Sequence, residues 1–575
     1  MMLSQEKKKD LYGDIFIHFS MNSSMIFPDA VEVDCGKVFD IGKIQYDTYT
    51  ETRFIFGSED VIKTVIPRNN LKLPKDWKSV VVYSPRIKMT PKTLSGLHAA
   101  CEARPELAKK VFKGEPTNVP ECFLDLEGKP FHSGKADLFK KLLPGSDAAP
   151  DKFDGVILDI SVTIQGLAAV LPTPQLTYTK FAIQVLRYSE RLAVQLQAKR
   201  LDLVFDTYLE NSIKSATREG RGMAGEIVFD KDDKISSDFK AFLQNNENKK
   251  HFNDLIQKTA SDPLFWQWQG EVVSTHGKKV WTRSDGTKEF GTWINELHEE
   301  ADNRILLHVK DALEAGLESI VIKTADTDVV VLLLAYHMQF REYSSSCNIW
   351  VEFGRSGHKR IINLSKAVDD LGESFCLAVP FFFAFCGCDS TTSFYKKPST
   401  FMFRAWMTHP EEIDLTSTFQ QLSWQPSEAT VIAAIPLIER FINHCYGFEN
   451  LESVDEVRFQ LFNTTVTDNL RELPPCQASL KLHILRSAFQ SGWVWGNTVS
   501  QQEMPPVTQW GWHLDQNDKL RILWYPDNPI PEGLNLLDVI KSCKCRLALC
   551  NNCTCARMKA ACLKLCNCKQ QCEKS

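Results

Sequence analysis

Several apolar segments of this 575-residue chain run directly into aspartate residues. They are Gly155–Asp159, Leu201–Asp206, Ile320–Ile322 followed by Asp326 and Asp328, and Ala378–Phe385 followed by Asp389. Carboxylates crowded together in water-poor surroundings need a counter-ion, and their hard oxygens are the ligands that Mg²⁺ and Mn²⁺ prefer. An aspartate after a strand is also an ordinary turn or helix-capping residue, which would explain each one singly. Because the arrangement recurs four times, we predict a shared acidic site.

A helix and a strand around residues 298–333 carry two further acids. Apolar residues recur at near-helical spacing before Gly316, a plausible cap, and the β-branched run Ile320–Ile322 is typical of a buried parallel strand. Glu300 and Asp302 lie in the first turn of this helix. Acids there also favour the helix dipole, so their position alone does not demonstrate a site.

From Asp154 onward, strand-like and helical segments alternate. The strand ending at Asp159 is followed by a long predicted helix, Tyr178–Lys199, and then by the strand ending at Asp206. This alternation predicts an α/β fold with a parallel sheet and crossover helices. In such sheets, sites form beyond the carboxyl ends of the strands, so four strands ending in aspartate would direct these side chains to one place.

A basic segment follows Asp206. Lys214, Arg218 and Arg221 are spaced at i, i+4 and i+7, so on a helix they would lie close to one face. Side chains in this arrangement could hold a phosphodiester near bound metal ions. A solvated helix face explains them equally well.

Nine of the 18 cysteines lie in the last 33 residues. They are Cys543, Cys545, Cys550, Cys553, Cys555, Cys562, Cys566, Cys568 and Cys572. Nine thiolates at such short intervals cannot all belong to separate four-cysteine sites, whereas three Zn²⁺ ions that share bridging thiolates would use all nine. Without a secretory signal, a dense cysteine cluster indicates metal binding rather than disulfides. A redox-active or purely structural tail is the alternative.

The tail is basic, although the chain as a whole has a net charge of -5. From Lys541 to Lys574 there are eight lysine and arginine residues and one acid, Glu573. A positive module attached to a carboxylate site suits a protein that processes a polyanion. The negative net charge of the whole chain argues against wholesale coating of nucleic acid.

The composition, 43% hydrophobic and 24% charged, predicts a soluble globular protein of several domains. The charged start of the chain does not resemble a signal peptide, and there is no run of 18 apolar residues. We therefore expect a nuclear or cytoplasmic protein with no membrane partner. Protein partners are not indicated.

The order of these blocks resembles the PIN-like nucleases of the flap endonuclease type. The shared features are an aspartate at the first strand, an aspartate and a basic helix at the second, Glu-x-Asp in the EEAD helix, Asp-x-Asp after the next strand, and Gly-Cys-Asp after an apolar segment. This resemblance covers roughly residues 154–400. The chain is also similar to uncharacterised animal proteins of mobile-element origin that share the HEEAD, TDV and GCD blocks. Its tail resembles the CXC domains of the tesmin and pre-SET kind, some of which bind DNA.

The resemblance implies a PIN-like (Rossmannoid) core in which seven carboxylates hold two Mg²⁺ or Mn²⁺ ions for in-line phosphodiester hydrolysis. These carboxylates are Asp159, Asp206, Glu300, Asp302, Asp326, Asp328 and Asp389. Lys214, and less directly Arg218 and Arg221, match the basic helix that steers the scissile phosphate in that family. Glu299 is an alternative to Glu300, since it projects closer to Asp302 on a helix. The family's glycine-bearing hairpin after the last block is replaced here by Ser390–Pro398, which has two lysines and no glycine.

Four regions are therefore expected. They are an N-terminal region of unknown role at 1–150, a PIN-like domain at 151–405, a mostly helical, Trp- and Pro-rich extension at 406–537, and a CXC-type zinc tail at 538–575. The tryptophans of the extension are predicted to pack in the core rather than to stack on bases. His308 is predicted to be a helix-surface or packing residue.

Two functions are compatible with these patterns. The first is a metal-dependent endonuclease or 5′-exonuclease, with DNA favoured over RNA as its partner. The second is a catalytically silent nucleic-acid-binding protein derived from a mobile element. The set of seven acids favours catalysis, because a scaffold has no reason to retain mutually repelling carboxylates.

Overall fold

The computed structural model describes much of the chain from residue 90 to residue 568. The segments left out within this range are 117–118, 126–127, 133, 171–174, 207–228, 237, 277–278, 284–285, 290–300, 355–358, 410–413, 465–468, 517, 526–535 and 546–552. The chain divides into two compact units, Met1–Pro85 and Arg86–Ser575, and the described residues belong to the second.

An eight-stranded sheet forms the centre of the described fold. Its strands are β1 (Gly155–Asp159), β2 (Arg200–Val204), β3 (Glu271–His276), β4 (Lys279–Thr282), β5 (Gly286–Glu289), β6 (Ser319–Thr324), β7 (Asn348–Phe353) and β8 (Arg360–Asn363), in the order β5-β4-β3-β2-β1-β6-β7-β8. The five strands from β3 to β7 in this order are mutually parallel, and β4, β5 and β8 are antiparallel to their neighbours. The predicted α/β fold with a mostly parallel sheet is confirmed. From β1 the chain adds β2 and β3 on one side of the sheet, and β6 and β7 on the other. Ligand sites in such sheets form in the crevice at this switch point, between β1 and β6.

Helices cover both faces of the sheet, as the nearly unbroken apolar strands require. Val156 and Leu158 of β1 face one apolar core, and Ile157 between them faces the other. The first core contains α5 (Tyr178–Gln195) and α7 (Asn246–Ala260). The second contains α8 (Ala301–Glu314) and α9 (Thr327–Tyr343).

The remaining helices complete the described fold. They are α1 (Pro91–Ala103), α2 (Pro105–Phe112), α3 (Lys135–Leu142), α4 (Ile160–Ala168), α6 (Phe239–Phe242), α10 (Leu364–Leu371), α11 (Glu373–Cys386), α12 (Ser399–Thr408), α13 (Leu415–Ser423), α14 (Glu428–Cys445), α15 (Val454–Thr464), α16 (Gln477–Ala488), α17 (Leu536–Val539) and α18 (Thr554–Arg557). A π-helix, Phe489–Trp495, extends α16, and a small hairpin joins β9 (Trp512–Leu514) to β10 (Leu520–Ile522). Among the described residues, none of the helices has the length and apolarity needed to cross a bilayer.

The apolar run Ala378–Phe385 was expected to be a strand, and this prediction is wrong. The run belongs to α11, which is packed against α9 and α13 within the second core. Pro380 interrupts the helical ladder, and side chains from the neighbouring helix make the missing contacts: Ser423 Oγ accepts from Phe381 N at 3.0 Å, and Trp424 Nε1 donates to Leu377 O at 3.3 Å. A helix buried on all sides has no polar face, so its sequence lacks the periodicity that separates helix from strand.

The tryptophans of the extension pack in the apolar core, as predicted. Trp495, Trp510 and Trp512 are buried, and Trp493 and Trp524 are partly buried against the same core. In the described structure these rings serve area burial.

Residues 90–150 pack within the same unit as the sheet. Asp147 donates its backbone N–H to Ile361 O at 2.7 Å and accepts from Asn363 N at 2.9 Å, so the predicted linker Leu143–Asp151 runs along β8. Arg360 Nη1 also donates to Leu143 O at 2.5 Å. The N-terminal segment thereby reaches the edge of the sheet next to α3.

A buried polar network lies between the sheet and α8. Asp202 of β2 accepts from Arg200 at 2.8 and 2.9 Å and lies 2.6 Å from His308 Nδ1. The other ring nitrogen of His308 is 3.0 Å from Thr275 Oγ1. His308 is therefore a fully buried residue that joins α8 to two strands.

Candidate metal centre

The ends of β1 and β6 bring Asp159 and Asp326 to the reversal point of the sheet. Leu158 lies opposite Lys323 in the parallel register, so the two strands end at the same level. Thr324 Oγ1 links the two loops, since it donates to Asp159 Oδ2 at 3.2 Å and accepts from Asp326 N at 3.0 Å. The crevice predicted at the strand ends is therefore lined by aspartates.

Each of these two aspartates also caps a helix. Asp159 Oδ1 accepts from Val162 N at 3.2 Å at the start of α4, and Asp326 Oδ1 accepts from Asp328 N at 2.9 Å at the start of α9. Capping accounts for one oxygen of each carboxylate. It does not account for the accumulation of further acids around them.

Asp206 connects the end of β2 to the beginning of α8. Its Oδ1 accepts from the backbone N–H of Ala301 at 3.0 Å, and its Oδ2 accepts from Ser161 Oγ at 3.0 Å. This contact fixes the N-terminal turn of α8, which carries Asp302. One carboxylate oxygen each of Asp302, Asp326 and Asp328 lie within 4.8 Å of one another, so these three acids could hold a metal ion.

Asp389 reaches the site from the end of α11. The helix ends at Gly387, whose φ of 109° lets the chain turn sharply. The turn is fixed by Thr391 Oγ1, which accepts from Cys388 N at 3.0 Å and donates to Ala384 O. Although the preceding segment is a helix and not a strand, Asp389 lines the same cavity as Asp326 and Asp328.

This cavity has a volume of about 400 Å³ and is rich in charged side chains. Its lining consists of His132, Lys135, Asp326, Asp328, Gly387, Cys388 and Asp389. Asp328 is buried and Asp326 is exposed, so the cavity extends from the sheet edge to solvent. A charged, water-accessible cavity of this kind suits a cation and a polar substrate better than an apolar ligand.

Burial and the charges of the acids shift the pKa values of two buried groups, Asp159 and Arg304. Burial, together with the charges of Asp206 and Asp326, raises the pKa of Asp159 to about 7. Burial lowers the pKa of the Arg304 guanidinium to about 10, although the charge of Asp206 opposes this. Burial is the larger cause of the raised pKa of Asp159, and the neighbouring carboxylates add to it.

Sequence reasoning did not find Lys135, the basic residue of this cavity. Lys135 Nζ donates to Asp328 Oδ1 at 2.8 Å and to Oδ2 at 2.6 Å. Burial disfavours its ammonium charge, but the charge of Asp328, with smaller contributions from Asp326 and Asp389, outweighs this and raises the pKa of Lys135. The partner of Lys135 lies 193 residues away in the chain, so no local sequence pattern indicated the pair.

Several predicted site residues lie outside the described part of the chain. They are Glu300, its alternative Glu299, and the basic residues Lys214, Arg218 and Arg221. The other six predicted acids are described, and the contacts above bring them to one end of the sheet. The roles of the undescribed residues stay predictions.

The C-terminal cysteines form a second candidate metal site. The sulfur atoms of Cys543, Cys555, Cys562 and Cys566 lie within 4.8 Å of one another, so this cluster could hold a zinc ion. The Cys555–Cys566 sulfur distance of 3.7 Å matches the edge of roughly 3.8 Å in a tetrahedron of thiolates around zinc. Cys568 adds a sulfur 3.9 Å from that of Cys543. Cys550 and Cys572 lie outside the described residues, and Cys545 and Cys553 are half-buried beside the cluster.

Arg104 connects the cysteine cluster to the N-terminal helices. Its guanidinium donates to Cys555 Sγ at 3.0 Å, to Val539 O at 2.6 Å and to Ala561 O at 2.6 Å. Burial raises the pKa of the Cys555 thiol, and the charge of Arg104 opposes this by favouring the thiolate, the form that binds metal. The described part of the tail is therefore packed against the N-terminal helices α1 and α2.

Comparison with protein-family models and with curated proteins finds no match. We therefore infer the chemistry of the site from its geometry alone. Asp302, Asp326 and Asp328 offer hard oxygen donors, and a separate group of four cysteines offers soft sulfur donors. These two donor sets select different cations.

Proposed function

We propose that this protein is a metal-dependent nuclease that hydrolyses phosphodiester bonds at the acidic cavity. The observation that supports this most strongly is the convergence of acids from separate segments of the chain. Asp159, Asp206, Asp302, Asp326 with Asp328, and Asp389 come from five separate segments of the chain, yet they share one end of the sheet. Structural capping requires no such convergence, whereas a divalent cation site does.

The protein residues have separable tasks in this proposal. Asp302, Asp326 and Asp328 would bind Mg²⁺ or Mn²⁺, and Asp159, Asp206 and Asp389 would complete a two-ion site, with Glu300 as a further ligand. When bound, such ions activate a water molecule and stabilise the leaving oxygen. Thr324 and the capped ends of α4 and α9 hold the carboxylates in place before any ion binds. The basic side chains Lys214, Arg218 and Arg221 would contact the substrate phosphates.

We also propose that the nine tail cysteines hold Zn²⁺, in three ions with shared thiolates. The spacing of the described sulfur atoms supports one four-cysteine zinc site, and the three-ion arrangement extends this to all nine cysteines. The surrounding lysine and arginine residues make this region a suitable contact for nucleic acid, with DNA favoured over RNA.

The test combines cleavage and binding assays. Labelled single-stranded, flapped and duplex DNA, and single-stranded RNA, would be incubated with purified protein and Mn²⁺. The double variant Asp326→Asn/Asp328→Asn removes two charges but keeps a residue that can cap α9. We expect it to cleave at least about a hundredfold more slowly than the wild type.

A matched control removes two exposed acids elsewhere, Asp230→Asn/Asp232→Asn, in the turn before α6. This control should cleave like the wild type. Cleavage that persists in the Asp326→Asn/Asp328→Asn variant would contradict the proposal. Nucleic-acid binding without cleavage on every substrate would instead favour a binding protein that has lost catalysis.

A further inference from the structure

Lys135 occupies an unusual position for a lysine, because its side chain is only 17% exposed and its ammonium lies inside the acidic cavity. Both oxygens of Asp328 accept from it, at 2.8 and 2.6 Å. The side chain of Asp328 is itself 6% exposed. The pair is therefore shielded from the solvent and salt that weaken surface ion pairs.

The helix that carries Lys135 is held in place by apolar contacts. Leu138, Phe139 and Leu142 of α3 belong to the second core. The ring of Phe139 lies 4.3 Å from that of Phe353, and the Arg360 guanidinium lies 4.8 Å from the Phe139 ring. Because this packing anchors α3 independently of the ion pair, the lysine is presented to the cavity by the fold.

The ammonium lies where a cation bound by Asp328 would lie. Asp326 and Asp389 line the same cavity, and the charges of both act on Lys135. A divalent ion seated among Asp328, Asp326 and Asp389 would lie within a few ångströms of the ammonium and would be repelled by it. Asp302 and Asp326 have carboxylate oxygens within 4.8 Å of each other, and Thr324 links the loop of Asp326 to Asp159, so a first ion held by Asp302 and Asp326 need not displace the lysine from Asp328.

We propose that the Lys135 ammonium is a built-in cation that takes the place of one of two divalent ions, so that the free protein binds a single Mn²⁺ or Mg²⁺. The inference rests on the proposed function, in which the acidic cavity is a metal site. It defines the role of a residue from the N-terminal region, which lies outside the segment that resembles a nuclease. A second divalent ion would enter only when Lys135 moves away from Asp328.

The test counts bound ions and does not depend on activity. Isothermal titration calorimetry with Mn²⁺ would be performed on the full-length wild type and on Lys135→Met and Lys135→Arg. Thiolates are poor ligands for Mn²⁺, so the cysteine cluster does not enter the count. The control variant is Lys140→Met, which removes an exposed lysine of the same helix whose partner is Asp137 at 3.6 Å.

We expect about one Mn²⁺ per chain for the wild type, Lys135→Arg and Lys140→Met, and about two for Lys135→Met. The total affinity of Lys135→Met for Mn²⁺ should be at least about tenfold higher than that of the wild type. Two ions in the wild type, or an unchanged count and affinity in Lys135→Met, would overturn the inference and leave the proposed function standing. The wild-type count decides this even if a variant fails to fold. Absence of Mn²⁺ binding by every protein would overturn the proposed function as well.

Discussion

The carboxyl group of Asp159 is buried beside two other acids, and its pKa is raised to about 7. Protons and metal ions compete for such a carboxylate, because only the ionised form binds a cation. We expect the affinity for Mn²⁺ to fall about tenfold for each pH unit below about 7 and to change little above it. Titrations of the wild type with Mn²⁺ between about pH 5.5 and pH 8 would measure this slope.

The metal-free protein should show the matching effect on stability. The pKa of Asp159 in the folded state lies above the ordinary value of about 4, so the folded state binds the proton more tightly than the unfolded state. Its contribution to the free energy of unfolding is present below about pH 4 and is lost as the pH rises to about 7. Asp159→Asn should remove both pH effects. Mn²⁺ affinity that keeps its pH dependence in this variant would exclude Asp159 as their origin.

Single residues were predictable from the sequence where their role depends on local context. Asp159, Asp206 and Asp326 follow strands, and strand ends can be read from apolar runs. Lys135 and Arg304 were not predicted, since the acids that act on them come from other segments of the chain. His308 was predicted only as a surface or packing residue, because its buried contacts with Asp202 and Thr275 join different elements.

Among the elements, α11 differs most from its prediction. Although this segment is a helix and not the predicted strand, Asp389 still reaches the cavity lined by Asp326 and Asp328. It does so because Gly387 redirects the chain after the helix. The elements β1, β2, β6 and α5 were predicted at the observed positions, because each has either a short apolar run or helical spacing with a cap. A fully apolar segment provides neither signal, and a run of about eight residues is also of strand length, so the sequence pattern does not distinguish a buried helix from a buried strand here.

The turn at Gly387 provides a test of how α11 positions Asp389. A Cβ atom at this position would lie 2.8 Å from Ser393 N, and the φ of 109° is strained for any other residue. We expect Gly387→Ala to lower the free energy of unfolding by about 2 kcal/mol and, when combined with Lys135→Met, to weaken binding of the second Mn²⁺, because the displaced turn carries Asp389. Urea denaturation and Mn²⁺ titration would measure the two effects.

The control for this substitution is Gly145→Ala. Gly145 has no neighbouring atom within 4 Å of the added Cβ, and it lies in the segment that follows α3. Its replacement should change the free energy of unfolding by less than about 0.5 kcal/mol. If Gly387→Ala weakened stability but left Mn²⁺ binding by Lys135→Met unchanged, Asp389 would not be a ligand of the second ion.

At the scale of the whole described unit, the two ends of the described chain share one apolar core. Residues of α1, α2, α15 and α17 pack with Cys543, Cys555, Cys562 and Cys566. A buried ion pair between Arg458 of α15 and Glu115, at 3.1 Å, also joins α15 to the segment that follows α2. The alternation of strands and helices predicted the sheet, but it does not specify that residues 91–115 and the tail pack together. Such long-range contacts leave no periodic trace in the sequence.

Arg104 tests whether the cysteine cluster is part of this fold or only attached to it. Two buried acceptors, Val539 O and Cys555 Sγ, and the part-buried Ala561 O would lose their donor in Arg104→Met. We expect the free energy of unfolding of the whole unit to fall by about 3 kcal/mol, with faster release of zinc to a chelator.

Lys110→Met, an exposed change on the adjacent helix α2, is the control and should alter neither quantity. Denaturation monitored by tryptophan fluorescence reports on the sheet and the extension, whose tryptophans are distant in sequence from Arg104. If its transition is unchanged while zinc is lost, the tail folds independently, and its basic surface is free to move relative to the acidic cavity. A single shifted transition for both signals would mean that zinc binding and the integrity of the N-terminal helices are one cooperative property.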